Sequence, residues 1–238
     1  MEQNIVDKFP SLEKARVCMA HNEYDMASEV YSEVLSAAEN IYDQNDPNLC
    51  KIYLEYAASL IRGSEEHFVN ELEKMVSKRT VGSSRDDDLN IAWDVLEISK
   101  SVFIANKDHN DLAQTFYLLG DILLLNNDFT GAITEYVSSI VEIKKCAGKN
   151  TLSESEVFYK MATCYEFMEE YEKCVEFLIK MKGISREVDE ELNCKIKEVL
   201  YKKGEKEKKE KIARGEVTEE ESESGEVIDI NMNKRQKE

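Results

Sequence analysis

Residues 113–136 read AQTFYLLGDILLLNNDFTGAITEY, two apolar-periodic runs separated by Asn126-Asn127-Asp128. The runs have helical spacing and the break carries turn residues, so the stretch is a helix–turn–helix. Gly120 in the first helix and Ala132 in the second lie twelve residues apart, Phe129 comes three residues before Ala132, and Tyr136 four after it. Small residues let two helices approach closely, and the aromatics fill the wedge beside the turn. The pattern recurs as Ala15 with Ala27, flanked by Tyr24 and Tyr31, and as Ala162 with Cys174, flanked by Tyr171 and Leu178. A further copy starts at Ala57, 42 residues after Ala15, just as Ala162 follows Gly120 by 42. Its second half lies at Ala92, with Leu96 four residues later, so this copy is split by 23 extra residues.

Four helix pairs in phase match the tetratricopeptide (TPR) pattern, with a period longer than the usual ~34 residues. The expected fold is all-α: a TPR-type helical solenoid of four repeats, the second split by an insertion at about 63–88, closed by a C-terminal capping helix. Only two prolines and nine glycines in 238 residues agree with helix throughout. Asp46-Pro47 reads as an N-cap with proline at the first helical position, and Ser153 to Glu156 as a capping box. Asp86-Asp87-Asp88 precede the helix expected from Leu89. Phe68, Leu72, Met75 and Val76 predict a short separate helix over 66–77. Leu192, Ile196, Val199 and Leu200 give the capping helix its stripe. The solenoid is expected over 1–203, and 204–238 as a charged, largely disordered tail.

The net charge is −18, and residues 1–200 carry −17 of it. Such a field repels nucleic acid and draws cationic partners, so direct nucleic-acid binding is not expected. No run of eighteen apolar residues occurs, and the N-terminus lacks a secretory apolar core, so neither membrane nor secretion is expected. The six cysteines (Cys18, Cys50, Cys146, Cys164, Cys174, Cys194) have no CxxC pairing and read as buried thiols of a reducing compartment. His21, His67 and His109 are scattered, and no phosphate loop, metal-ligand spacing or nucleophile elbow is present. No enzymatic activity, cofactor or metal is expected. Trp93 reads as a packing residue.

A TPR array whose second repeat resumes with Leu89-Asn90-Ile91-Ala92-Trp93-Asp94-Val95-Leu96-Glu97 resembles the SHNi-TPR family, the nuclear autoantigenic sperm protein group of histone chaperones. Tyr53 to Leu60, Gly120-Asp121 and Ser155 to Tyr159 are similar to further segments of that family. The resemblance implies an ATP-independent nuclear protein, shuttling with the cytoplasm, that holds histone H3–H4 chiefly through H3; linker histone or other basic proteins are further candidates. The family's insertion is typically strongly acidic, whereas residues 63–88 here sum to only −3.

In a TPR array the first helix of each pair lines the concave face. Counting from Ala113 and Ser155 as repeat starts, the inward positions are Gln114, Tyr117, Asp121 and Leu124, then Glu156, Tyr159, Thr163 and Glu166. Acids interleaved with aromatics suit a basic segment, so Tyr117, Asp121, Glu156, Tyr159, Thr163 and Glu166 are the candidate partner-binding residues. The resemblance places the histone against Glu156 and Tyr159. A chaperone adaptor gripping an acidic peptide would need a basic clamp, yet the corresponding positions hold only Arg16 and Lys51 as cations. A kinesin-light-chain type of adaptor has unsplit repeats. Lys202-Lys203, Lys206 to Lys211 and Lys234 to Lys237 are candidate import signals.

Overall fold

The computed structural model describes residues 2–76, 85–146, 151–184 and 190–214, with the side chains of 5–66, 87–146, 151–184 and 190–214. Among the described residues there are ten helices and no strand. The described residues divide into two units, one within 1–188 and the other within 189–238. In the first, α1 (Glu2–Lys8) precedes four helix pairs. These are α2 (Ser11–Ala20) with α3 (Tyr24–Ala38), and α4 (Pro47–Val76) with α5 (Arg85–Asn106). They continue as α6 (His109–Leu125) with α7 (Phe129–Lys145), and α8 (Glu154–Phe167) with α9 (Tyr171–Ile184). Each helix packs on the next, and α4, α6 and α8, the first helices of their pairs, also meet in succession. This is the TPR-type arrangement, in which each repeat buries its apolar face on its neighbours.

The small residues sit where the helices cross. Ala15, Ala27, Ala57, Ala92 and Ala132 are completely buried, as are Gly120, Ala162 and Cys174 in all but a trace. Ala57 and Ala92 thus form the crossing of the split repeat, and α4 packs on α5 across the insertion. A Cβ on Gly120 would come within 2.5 Å of Tyr136 Cε1, so the ring occupies the space that a side chain would need. Tyr31, Leu96, Tyr136 and Leu178, four residues after each second small position, are fully enclosed. One apolar cluster runs through α1 to α6 and a second through α6 to α8, and Tyr117 packs against both.

The turn inside three of the pairs is made by one residue in the left-handed region. Asn22 (φ 61°), Asn127 (φ 61°) and Glu169 (φ 56°) each stand five residues before the second small position. Asparagine tolerates this conformation and a glutamate does so at a cost. Asp46, Asp108 and Asp128 cap α4, α6 and α7: their carboxylates accept the backbone N–H groups of Asn48 (2.7 Å), Asp111 (3.3 Å) and Gly131 (2.9 Å).

Three expectations are corrected. The helix expected over 66–77 is no separate element: α4 runs unbroken from Pro47 to Val76, and Gly63 and Ser64, poor helix formers, are carried within it where they are buried beside α3. Helix α5 starts at Arg85, so Asp86 to Asp88 form its first turn instead of preceding it; carboxylates are still favoured there. In the second unit, α10 (Glu190–Ala213) passes through Gly204, where the ordered chain was expected to end. Lys–Glu pairs one turn apart, such as Lys202 with Glu198 at 2.7 Å and Lys208 with Glu205 at 3.3 Å, support it. Residues 77–84 and 215–238, including the Lys234 to Lys237 cluster, lie outside the described residues.

Candidate protein-binding site

A groove of about 370 Å³ lies along the first helices of the pairs. Its floor is apolar, with Ile52, Leu54 and Ala58 of α4 and Leu118 of α6. Its walls carry Arg16 of α2, Lys51, Glu55 and Arg62 of α4, and Asn110, Asp111, Gln114 and Tyr117 of α6. Thr151, Leu152 and Glu156 close the end at α8. Thr151 is fastened to α6: its N–H donates to Asn110 Oδ1 at 3.0 Å and its Oγ1 accepts from Gln114 Nε2 at 2.6 Å.

The charges of this face are paired across successive helices. Arg16 holds Glu55 with both arms of its guanidinium, at 2.7 and 2.9 Å, and Tyr31 donates to the same carboxylate at 2.9 Å. Lys51 Nζ lies 3.1 Å from Asp111. Lys160 Nζ lies 3.0 Å from Asp121 Oδ1, which also accepts the Tyr136 hydroxyl at 2.7 Å. Two of these contacts share one register. Arg16 and Asp121 each follow the small residue of their helix by one, while Glu55 and Lys160 each precede theirs by two. At the intervening step the same two positions hold Ala58 and Leu118, an apolar pair in the groove floor.

Burial pushes Asp121 up from the ordinary carboxylate range, with Lys160 and the Tyr136 hydroxyl opposing it. Burial alone would pull Lys160 down, but Asp121 and Glu65 outweigh it and hold the ammonium above the usual lysine range. Tyr117 is pushed up to about 12, by burial first and by the Asp121 charge second. Burial likewise moves the Cys50 thiol up to about 11 and Cys164 up to about 12, which leaves them poor nucleophiles. Cys18, Cys50, Cys164 and Cys174 are buried as expected, but Cys146 is half-buried and Cys194 exposed.

The candidate residues fall into two groups. Glu156 is exposed at the groove end and Tyr159 is 45% exposed one turn further along α8. Glu156 closes the capping box, accepting the Ser153 N–H at 3.1 Å, and has no ion pair among the described residues. Tyr117 lines the groove with its ring 5.9 Å from that of Tyr136. Thr163, half-buried, donates to the Tyr159 carbonyl at 3.0 Å, and Glu166 is half-buried. Asp121 is a correction. It is 1% exposed and its charge is met by Lys160, so it is a core residue and not a surface acid. The physical reason is Gly120: the close approach of α7 there presses the next residue against Tyr136. The sequence reading overlooked Glu55, Arg62, Glu65 and Lys160. The repeated register of Arg16 with Glu55 and Asp121 with Lys160 was the available signal.

No protein-family model and no curated protein matches the chain. Solved structures do. The chain is similar to the "putative kinesin light chain nearly identical TPR-like repeats" of Podosopora anserina, with a TM-score of 0.59 at 12% identity over 86% of this chain and 90% of that one. It is also similar to BtubC (BKLC) from P. vanneervenii, with a TM-score of 0.53 at 15% identity over 85% of this chain and 81% of that one. The fold is therefore that of TPR-like repeat proteins.

Proposed function

We propose that the chain is a scaffold whose first-helix face holds a basic protein, specifically histone H3–H4 and chiefly H3, without nucleotide or metal. The observation that carries this reading is the end of the groove at α8. There the exposed carboxylate of Glu156 shares the groove lining with Tyr117, and the ring of Tyr159 is exposed one turn further along α8, on a chain of net charge −18. A carboxylate with no competing cation takes lysine or arginine, and an exposed ring stacks on an alkyl stem or a guanidinium plane. The choice of histone rests on the segment Leu89 to Glu97 and on the split second repeat. Residence in the nucleus is part of the same proposal.

A second reading is favoured by Arg16, Lys51 and Arg62 in the groove wall, one cation more than the sequence reading counted. Three cations would suit an acidic peptide. Each has a carboxylate within 3.1 Å, so an acidic ligand would have to displace Glu55, Asp111 or Glu65. The basic-partner reading needs no such displacement.

A pull-down separates the two, with H3–H4, the other core-histone pair and an acidic chaperone C-terminal peptide tested side by side. Glu156→Lys should weaken H3–H4 binding by about 2–5 kcal/mol if the carboxylate pairs with a partner cation. A capping role alone predicts intact binding and about 1 kcal/mol lower stability. Capture of the acidic peptide in preference to H3–H4 would overturn the proposal. Asp121 is excluded from such tests, because a charge reversal there would set two cations together in the core.

A further inference from the structure

The first helices of repeats one, three and four follow one rule of length. Helices α2, α6 and α8 each end five residues after their small residue: Ala20 after Ala15, Leu125 after Gly120, Phe167 after Ala162. By the same rule α4 would end at Arg62, five after Ala57, yet it continues to Val76. The first residues of this continuation are packed. Gly63 and Ser64 are buried, and a Cβ on Gly63 would meet Asp25 Oδ1 at 3.4 Å and Tyr24 Cβ at 3.6 Å, both at the start of α3 in repeat one. Glu65, one residue on, reaches repeat four: its Oε1 lies 3.0 Å from Lys160 Nζ on α8. Its other oxygen accepts from Arg62 at 3.1 Å. Lys160, 15% exposed at its side chain, touches Asp121 of α6 at the same distance of 3.0 Å.

We propose that the continuation of α4 past Arg62 is a brace that fixes the spacing of the first helices of repeats two, three and four, with Glu65 and Lys160 as its positioning residues. In a helix-pair stack each repeat contacts only its neighbours, and small rotations at each step add up along the array. A contact that skips a repeat removes that freedom. The Lys160 ammonium supplies it, since one group is bonded to α4 and α6 from α8. The ammonium is also mostly buried, so solvent and salt screen it little. The anchor of the brace on Tyr24 and Asp25 ties in repeat one. The split in the second repeat thereby acquires a structural use that the −3 charge of residues 63–88 does not supply: it lets α4 outlast its usual length. The brace sets how far Glu156 and Tyr159 on α8 stand from Tyr117 on α6, whatever occupies the groove.

Hydrogen exchange on the full-length protein tests this without any partner. Glu65→Gln removes one charge from a half-exposed side chain and leaves Lys160 with Asp121, so the fold is retained. The expected result is at least tenfold faster exchange of the amides in 64–76 and in the first turns of α8, with α2, α3 and the 47–61 part of α4 unchanged. Lys160→Arg keeps a cation able to meet two carboxylates and should exchange like wild type, whereas Lys160→Met should speed the same amides and also those of α6 around Asp121, since it strips that buried carboxylate of its cation. Exchange of 64–76 in Glu65→Gln at the wild-type rate would overturn the brace. So would acceleration spread evenly over the chain, which marks general loss of stability. Loss of H3–H4 capture with these amides still protected would count against the proposed function and leave the brace standing.

Discussion

Tyr136 fills the space beside Gly120, and this one contact explains why a helix interior tolerates a glycine there. Alanine would gain about 1 kcal/mol of helix propensity, but its Cβ would stand 2.5 Å from a ring that is completely buried and hydrogen-bonded to Asp121. Gly120→Ala is therefore expected to lower stability by about 1–3 kcal/mol in urea denaturation, the cost of overpacking a close crossing. Glu169 offers the opposite case. It holds φ 56° where two sister turns place asparagine, so Glu169→Asn should raise stability by about 0.5–1 kcal/mol, read in the same assay. The small residues twelve apart, and the large ones at +9 and +16 from the first of them, were legible in the sequence because size at a crossing is a one-residue property. Asp121 was not. Its face was assigned from a generic TPR register, while its burial depends on how closely α7 approaches and on a lysine 39 positions further along the chain. Glu156 was legible because its capping role is local, set by Ser153 three residues earlier.

Helix lengths depend on neighbours as well as on local signals. Asp46-Pro47 marked the start of α4 correctly, since the carboxylate accepts the Asn48 N–H at 2.7 Å. Its end could not be read the same way: the apolar spacing of 68–76 fits a separate helix and a continuation equally well. The continuous path is favoured where Gly63 and Ser64 find burial beside α3. Within repeat three, α6 and α7 are tied at their ends by Glu142, which receives His109 Nδ1 at 2.7 Å and Lys145 Nζ at 2.7 Å. Burial alone would raise the Glu142 pKa, but Lys145 and His109 together lower it below the ordinary 4.5. A carboxyl whose folded pKa is depressed contributes stability that is present above the unfolded value and lost as pH falls through the folded one. Wild type should therefore exceed Glu142→Gln in denaturation midpoint at pH 7. The gap should close as pH drops below about 4.5, the unfolded value, and a gap that persists at pH 3 would show that the tie is not electrostatic.

Across the whole molecule, charge acts on two length scales, and they separate cleanly. Along the groove the cations and acids nearly cancel, because Arg16, Lys51 and Arg62 each sit against a carboxylate. The excess of −17 over residues 1–200 therefore lies outside the groove lining, where three cations face three acids. Net charge was legible by counting, but this local cancellation was not, since it needs the pairs of residues 39 and 60 positions apart. Net charge steers association, whereas a direct contact, the role proposed for Glu156, governs dissociation. On the proposed function, binding of H3–H4 should lose affinity steeply between 0.1 and 0.5 M salt, where the Debye length shrinks from about 10 Å to about 4 Å, and chiefly through a slower association rate. Glu156→Gln should do the reverse. It should speed dissociation several-fold at every salt concentration and leave the association rate within about twofold of wild type. Stopped-flow association and dissociation of labelled H3–H4 across a salt series read both quantities on the same samples. If Glu156→Gln changed only the association rate, and its effect vanished at 0.5 M salt, the residue would be one more contributor to the field. The contact at the end of the groove would then have to be sought at Tyr159, whose ring carries no charge for salt to screen.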